Sequence, residues 1–251
     1  MRLEKAIREF LSFLRLPIFD YPREKPLDFT IVIRLYLIVF LVEMLLFVPI
    51  SSFFDLENIP HVMKEILDTN SLLEVFVKAV IIAPIIEEFL FRFHLRYGNF
   101  IYLFLLFLAV SVVGFAVATM TTVSFDGFES IVQWAKEHPI WIAPIICFGI
   151  GLIIFLKEQD RNREHRAVKR FFPYIFYLTA FIFAMLHVSN FTLDRSMWLM
   201  APLLVLPQFI LGLYLGYIRM RNNLGYSIFI HAFNNAIPLF LIALGTLSGG
   251  S

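Results

Sequence analysis

Long apolar runs separated by short polar segments dominate the hydrophobicity pattern of this chain. Seven runs have roughly the length of a membrane span: residues 29–50, 71–97, 100–123, 139–156, 171–189, 197–218 and 225–244. A helix needs about 20 apolar residues to cross a bilayer. Because lipid offers the backbone no hydrogen-bond partners, each run is predicted to be a helix. The pattern therefore predicts an all-α, polytopic transmembrane helical bundle with about seven spans.

Residues 1–16 show a shorter, amphipathic pattern. Apolar residues recur at helical spacing on one face: Leu3, Ile7, Leu11 and Leu14. A basic amphipathic helix of this kind is typical of a segment lying on an anionic membrane surface, although a solvated cytosolic helix has the same pattern. The segment lacks the continuous apolar core and cleavage site of a signal peptide. Two regions are predicted: an interfacial helix and linker at 1–28, and a transmembrane domain at 29–251.

The composition supports a membrane protein. Of the 251 residues, 59% are hydrophobic and 30 are Phe, whereas a soluble domain is nearer half apolar. The formal net charge of +1 gives no indication that the protein binds nucleic acid. The single cysteine, Cys147, can form neither an intramolecular disulfide nor a thiolate metal cluster.

Lysine and arginine in the loops predict the orientation of the chain in the membrane. They concentrate before the first predicted span, between residues 157 and 170 after the fourth, and at Arg219 and Arg221 after the sixth. Such residues are retained on the cytosolic side. We therefore predict a multi-pass protein of the cell membrane, with a cytosolic N-terminus, an outside C-terminus and the lipid bilayer as its surroundings.

Polar clusters interrupt three of the apolar runs: Glu87, Glu88 and Arg92 in the second, His187 in the fifth, and His231 with Asn235 in the seventh. A charged residue at the centre of a membrane helix costs about 2.5–3.5 kcal/mol even on mild insertion scales, so such residues are usually functional. With a rise of about 1.5 Å per residue, the depths of the three clusters overlap. All three can therefore meet in one cavity open towards the cytosol.

Helical geometry separates the two adjacent glutamates. Glu88 and Arg92 are four residues apart and share a face, so an ion pair is predicted between them. Glu87 points about 100° away and is free to face a polar cavity. His231 and Asn235 share a face of the last span. Each histidine alone also has a structural interpretation, as a polar residue that bonds a neighbouring helix.

Other polar residues in the apolar runs have less distinctive patterns. Glu74 and Lys78 are four residues apart and are predicted to pair near the outer end of the second span. Glu43 has no partner within sequence reach, and either a structural role or a place in the cavity fits it. His94 lies near the end of its predicted helix, and an interfacial position is expected for it.

Together the three clusters resemble the motifs of the CAAX-protease and bacteriocin-processing family, also called the Abi family, of polytopic intramembrane endopeptidases. The matching stretches are Glu87-Glu88-x-x-Phe91-Arg92, Phe183-x-x-x-His187 and His231-x-x-x-Asn235. Two features depart from the family pattern. Phe93 stands where the family often has Gly. Residues 100–156 add two predicted spans between the first two motifs. This insertion puts the substrate, rather than the chemistry, in question.

The resemblance implies a role for each motif residue in peptide hydrolysis. Glu87 and His187 would activate a water. His231 and Asn235 would stabilise the oxyanion. The two residues that would hold the site together are Glu88 and Arg92.

The chemistry of hydrolysis fits these residue types. Peptide hydrolysis needs a base that deprotonates water and donors at the developing oxyanion. Glu87, His187 and His231 are also acceptable zinc ligands, although the chain has no His-Glu-x-x-His motif. The sequence therefore favours a glutamate-and-histidine mechanism with no certain cofactor and leaves a zinc mechanism open.

The leading prediction is an intramembrane endopeptidase that acts on a peptide or membrane-associated protein. A proton- or ion-coupled transporter is an alternative, because intramembrane Glu and His also form proton relays. The transporter alternative predicts that the two halves of the chain are related by a sequence repeat, and no such repeat is visible. A non-catalytic bacteriocin-immunity or scaffold protein is the third possibility. Loss of a motif residue would favour it, and all motif residues are present.

Overall fold

The computed structural model describes residues 2–20, 26–56, 59, 61, 66, 67, 69–96, 164–193 and 195–248. Within these ranges the chain is helical, apart from loops and an isolated bridge between His61 and Phe191. The all-α prediction is thus confirmed for the described part of the chain. The predicted spans at 100–123 and 139–156 lie outside the described residues.

The helices in chain order are α1 (Leu3–Arg15), α2 (Phe29–Phe53), α3 (Leu72–Phe76), α4 (Ala83–Arg92), α5 (Glu164–Leu186), α6 (Ala201–Leu204), α7 (Leu206–Arg221) and α8 (Leu224–Ser248). A π-helical turn, Val77–Ile82, joins α3 to α4. Shorter 3-10 turns are His94–Arg96, His187–Asn190 and Arg195–Met200. The chain divides into two compact units, Met1–Arg96 with Lys169–Ser251, and Tyr97–Val168. The first unit holds every residue predicted for the site.

Three helices within the described residues are long and apolar enough to cross a membrane: Phe29–Phe53, Lys169–Asn190 and Leu224–Leu244. They correspond to the first, fifth and seventh predicted spans. The chain is therefore a membrane protein by the length and composition of its helices, while the count of seven spans stays a prediction. The orientation of the two termini also stays a prediction.

The second predicted span is helical from Leu72 to Arg92, and this helical part carries five charged side chains. Glu74 and Lys78 attract each other electrostatically as predicted, and each also has a hydrogen-bond partner of its own. Ser71 and Glu74 form a capping box at the start of α3, and Lys78 donates to Asn70 over 3.5 Å. The capping box satisfies backbone N–H groups at the helix start, which explains why Glu74 turns back to Ser71.

The sixth predicted span, 197–218, differs from a single continuous helix. It consists of a 3-10 turn, the short α6 and then α7, with a break at Val205. Pro202 and Pro207 stand in the first turns of α6 and α7. Proline favours the first turn of a helix, where no N–H is needed. The two prolines thus explain why the helix restarts twice within this run.

The N-terminal helix is present as predicted, but it buries a different face. Ala6, Phe10 and Phe13 are its buried residues, and the Phe10 ring lies 5.7 Å from that of Tyr214. Of the residues predicted from the apolar spacing, Leu3, Ile7 and Leu14 are partly buried and Leu11 is 58% exposed, so the buried face adjoins the predicted one. Aromatic rings bury more area than aliphatic side chains, so the phenylalanines determine how α1 packs on α7. Its interfacial role and the division at residue 28 stay predictions.

Two glycines allow α7 to pack closely against α5. A Cβ added to Gly216 would lie 2.6 Å from the Phe176 ring, and one added to Gly212 would lie 3.1 Å from the Phe183 ring. On its other side, α7 is tied to α2 because the Tyr214 hydroxyl donates to the Val32 carbonyl over 2.7 Å. These contacts set α5, α7 and α2 side by side and bring the end of α5 towards α4.

Candidate active site

Glu88 is a completely buried carboxylate with three polar partners. Arg92 Nη1 lies 2.9 Å from its Oε1 atom, and His231 Nδ1 lies 3.0 Å from the same oxygen. The Ser227 hydroxyl donates to Oε2. A buried charge is tolerated only when it is paired and hydrogen-bonded. The arrangement meets that condition and ties α4 to α8.

Local helix geometry explains how these groups meet. Glu88 and Arg92 are four residues apart on α4, and their predicted contact is present. Ser227 and His231 are four residues apart on α8, so they form a second matching pair. Sequence reasoning missed Ser227. Its position one turn before His231 on an apolar helix is the signal that would have found it.

Glu87 lies between two histidines. Its Oε2 atom is 3.8 Å from His187 Nε2 and 3.6 Å from His231 Nε2. These distances exceed ordinary hydrogen bonds. Oε2 is buried, and among the described residues no group forms a hydrogen bond with it. The three side chains thus surround a point where one further small group can be bound.

The second nitrogen of each histidine has a fixed partner. His187 Nδ1 lies 2.8 Å from the Phe183 carbonyl, which only accepts hydrogen bonds, so Nδ1 carries a proton. His231 Nδ1 faces the Glu88 carboxylate, which assigns its proton in the same way. In the neutral form of either ring, Nε2 is therefore an acceptor, and both Nε2 atoms face Glu87.

Phe183 is the packing centre of the site. Its ring lies 4.7 Å from the His187 ring and 5.5 Å from the His231 ring. The Arg92 guanidinium stacks on it, 3.8 Å from the ring centroid, in a cation–π contact. Phe183 thus holds both histidines and the partner of Glu88 in position.

Asn235 lies one turn beyond His231 on α8 and has a different neighbour. Its Nδ2 atom donates to the Ala79 carbonyl in the π-helical turn over 2.9 Å. The structure brings Glu87, His187 and His231 together, whereas the contact it gives Asn235 is with the backbone. Next to it, Asn234 accepts from the Tyr36 hydroxyl over 2.9 Å, a contact that sequence reasoning missed because it joins α2 to α8.

The remaining polar candidates lie within the protein. Glu43 is 6% exposed on α2, two turns beyond Tyr36. His94 is 3% exposed, so it packs inside the protein, and its position at the membrane interface stays a prediction. Its Nε2 atom lies 3.3 Å from the Thr179 hydroxyl oxygen. Thr179 itself donates to Ile175, so it accepts from His94, and the contact joins the end of α4 to α5.

The zinc site predicted on Glu87, His187 and His231 gains no geometric support. Within the part of the chain that the structure describes, no group of three or more His, Cys, Asp or Glu side chains is arranged to hold a metal ion.

The fold and the site define an all-helical membrane protein with a buried cluster of glutamate and histidine. The model of the family described as type II CAAX prenyl endopeptidase Rce1-like matches residues 69–237. This match covers more than half of the chain, and the protein belongs to that family. The family predicted from the three motifs is thus confirmed, and membership implies a protease with a peptide substrate in a membrane. No curated protein and no solved structure matches the chain.

Proposed function

We propose that this protein is an intramembrane endopeptidase in which Glu87 and His187 activate a water for attack on a peptide bond. The observation that carries the proposal is the approach of the two Nε2 atoms to Glu87 Oε2, at 3.6 and 3.8 Å. A water placed among these atoms can hydrogen-bond to them at ordinary distances of about 2.8 Å.

The proton balance of the attack follows from these partners. Glu87 accepts a proton from the water as its oxygen attacks the scissile carbonyl carbon. His187 accepts the second hydrogen bond of the water through Nε2, since its Nδ1 proton is donated to Phe183. The proton then passes to the leaving amine, which completes the cleavage. Both groups thus orient the water, and Glu87 moves its proton.

His231 and Asn235 are the proposed donors to the oxyanion. To donate through Nε2, His231 must be protonated on both nitrogens, and the Glu88 carboxylate 3.0 Å from Nδ1 then faces an imidazolium. Asn235 uses one of its two Nδ2 hydrogens on Ala79 and keeps the other for the substrate. Donors fixed before the reaction contribute most to catalysis of acyl transfer.

The proposed substrate is a peptide or membrane-associated protein that enters from the cytosolic leaflet. The family description refers to CAAX prenyl endopeptidases, so a peptide with a prenylated cysteine near its C-terminus is the first substrate to test. We propose that the hydrolysis needs no metal, because Glu87 and the two histidines already provide a base and an electrophilic donor.

The test compares the purified wild-type protein with Glu87→Gln and with Arg34→Lys, which changes an exposed residue on α2. Each is incubated with prenylated and unmodified peptides in detergent, and the products are identified by mass spectrometry. We expect wild type and Arg34→Lys to release the same fragments and Glu87→Gln to release none. Equal cleavage by Glu87→Gln would rule out the proposed role of Glu87. If no peptide is cut, membrane proteomes of cells with either form are searched for termini that depend on Glu87.

A further inference from the structure

The helix that carries Glu87 and Glu88 changes its hydrogen-bonding register just before the site. Val77–Ile82 form a π-helical turn, and the N–H of Ala83 donates to the carbonyl of Lys78, five residues back. Such turns are rare and occur mostly at functional sites. The change of register alters which backbone carbonyl lacks a donor.

Ala79 is the residue whose carbonyl loses its donor. Its ordinary α-helical partner, the N–H of Ala83, is already used on Lys78. In the π register its partner would be residue 84, which is Pro84 and has no N–H. The Ala79 carbonyl is therefore left without either of these backbone donors at a partly buried position, where a carbonyl is normally paired.

Asn235 supplies the missing donor. Its Nδ2 atom lies 2.9 Å from the Ala79 oxygen. Because a carbonyl only accepts, this contact assigns the Nδ2 end of the carboxamide to the side of the π-helical turn. It also fixes the direction of the second Nδ2 hydrogen.

We infer that Pro84 is a positioning residue, which reserves the Ala79 carbonyl for Asn235 and thereby orients the Asn235 carboxamide towards the reacting peptide bond. The inference rests on the proposed function of Asn235 as an oxyanion donor. Pro84 has this effect because its backbone nitrogen carries no hydrogen and cannot donate to Ala79. Any residue with an N–H at position 84 competes with Asn235 for the same oxygen.

The first experiment replaces Pro84 with Ala. If the π turn persists, the new N–H at position 84 donates to Ala79. If the turn relaxes to an α-helix, the N–H of Ala83 does so instead. In both cases a backbone donor competes with Asn235 for the Ala79 oxygen and weakens the anchor of its carboxamide. Removal of one oxyanion donor typically costs about 10²–10³ in kcat, so we expect kcat to fall by about tenfold or more and KM to stay within about twofold. Pro207→Ala, at the equivalent place in the first turn of α7, is the matched control and should leave kcat unchanged.

A second variant separates the missing N–H from the proline ring. Incorporation of lactic acid at position 84 by nonsense suppression gives an ester, with the side chain of alanine and no N–H. The inference requires that this variant restores most of the kcat that Pro84→Ala loses. If the ester and the alanine variant are equally impaired, the ring itself matters and the inference is overturned.

A third measurement needs no substrate. Melting temperatures in detergent are compared for Pro84→Ala, Asn235→Ala and the double variant. Because both single changes break or weaken the same Ala79 contact, the double variant should melt higher than the sum of the two losses predicts. Additive losses overturn the inference. If the melting temperatures of the three variants are non-additive in this way but the wild type cleaves no peptide, only the proposed function fails. If Asn235→Ala retains full kcat, Pro84 does not position a group that acts in hydrolysis, and the inference fails.

Discussion

The Nδ1 atom of His231 lies 3.0 Å from the Oε1 atom of Glu88, and both side chains are almost completely buried. The contact turns the opposite side of the ring, with Nε2, to Glu87 at 3.6 Å. The two neighbouring glutamates thus contact the same histidine from different sides. Glu88 fixes the ring and is charge-balanced by Arg92, whereas Glu87 faces the open side of the site. Substitution of Glu88 should therefore mainly lower stability, whereas substitution of Glu87 should mainly lower activity.

Replacement of Glu88 with Gln should destabilise the protein. The change leaves Arg92, which is 1% exposed, without its counter-charge, and breaking a buried ion pair typically costs about 3–5 kcal/mol. We expect a lower melting temperature in detergent and a lower membrane yield, with activity falling as a consequence. Glu4→Gln is the matched control, because Glu4 and Arg8 have the same four-residue spacing but are exposed. An unchanged melting temperature for Glu88→Gln would contradict the structural role.

Replacement of Glu87 with Gln should abolish hydrolysis without loss of stability. Its Oε2 atom is buried and forms no hydrogen bond with any described residue, so a neutral amide removes a desolvation cost while preserving shape. We expect a melting temperature equal to or slightly above that of the wild type, and no cleavage of the test peptide. A stable but inactive Glu88→Gln together with an unstable Glu87→Gln would show that the two roles are reversed.

Sequence reasoning predicted the parts of the site that depend on spacing within one helix. The contact of Glu88 with Arg92 follows from the four-residue period, as does the shared face of His231 and Asn235. It did not predict the Ser227 hydroxyl on Glu88, because that contact depends on how α8 approaches α4. Tertiary packing of this kind is set by side chains on several helices at once.

Two further differences have local causes that periodicity does not detect. The break at Val205 reflects two prolines that each begin a helix, whereas the hydrophobicity of the run is continuous. In α1, the apolar spacing indicated the correct helix, but the buried face is set by Phe10 and Phe13, which contact rings from α7 and α5. A pattern of apolar positions does not say which of two adjoining faces has an aromatic partner.

The orientation of the chain can be tested with reporters. The distribution of lysine and arginine predicts that an insertion near Arg163 is cytosolic and that a fusion after Ser251 is outside. Paired alkaline phosphatase and green fluorescent protein fusions at both positions measure this directly. Placement of both positions on the same side of the membrane would contradict the prediction of seven spans.

Glycine-to-alanine changes in α7 should separate packing of the site from packing of the helices. The Cβ of Gly212→Ala would lie 3.1 Å from Phe183, whose ring contacts both histidines, so we expect activity to fall more than stability. The Cβ of Gly216→Ala would lie 2.6 Å from Phe176, away from the histidines. Overpacking typically costs about 1–3 kcal/mol, and we expect the larger drop in melting temperature for Gly216→Ala. If the loss of activity relative to the drop in melting temperature is the same in the two variants, the packing role of Phe183 is contradicted.

Metal chelation tests the hydrolytic mechanism. His231 contributes one ring nitrogen to Glu88 and turns the other towards Glu87, and His187 does the same between Phe183 and Glu87. In the proposed mechanism His187 thus orients the water and His231 donates to the oxyanion, and neither function requires a metal. We expect cleavage to persist after dialysis against phenanthroline or EDTA, and the purified protein to contain zinc well below one equivalent by mass spectrometry. Non-chelating phenanthroline isomers control for effects on the detergent. Two results together would establish the metal mechanism in place of the one proposed. The first is that chelation abolishes cleavage by the wild type and added zinc restores it. The second is that the wild type contains stoichiometric zinc, which His187→Ala and His231→Ala lose.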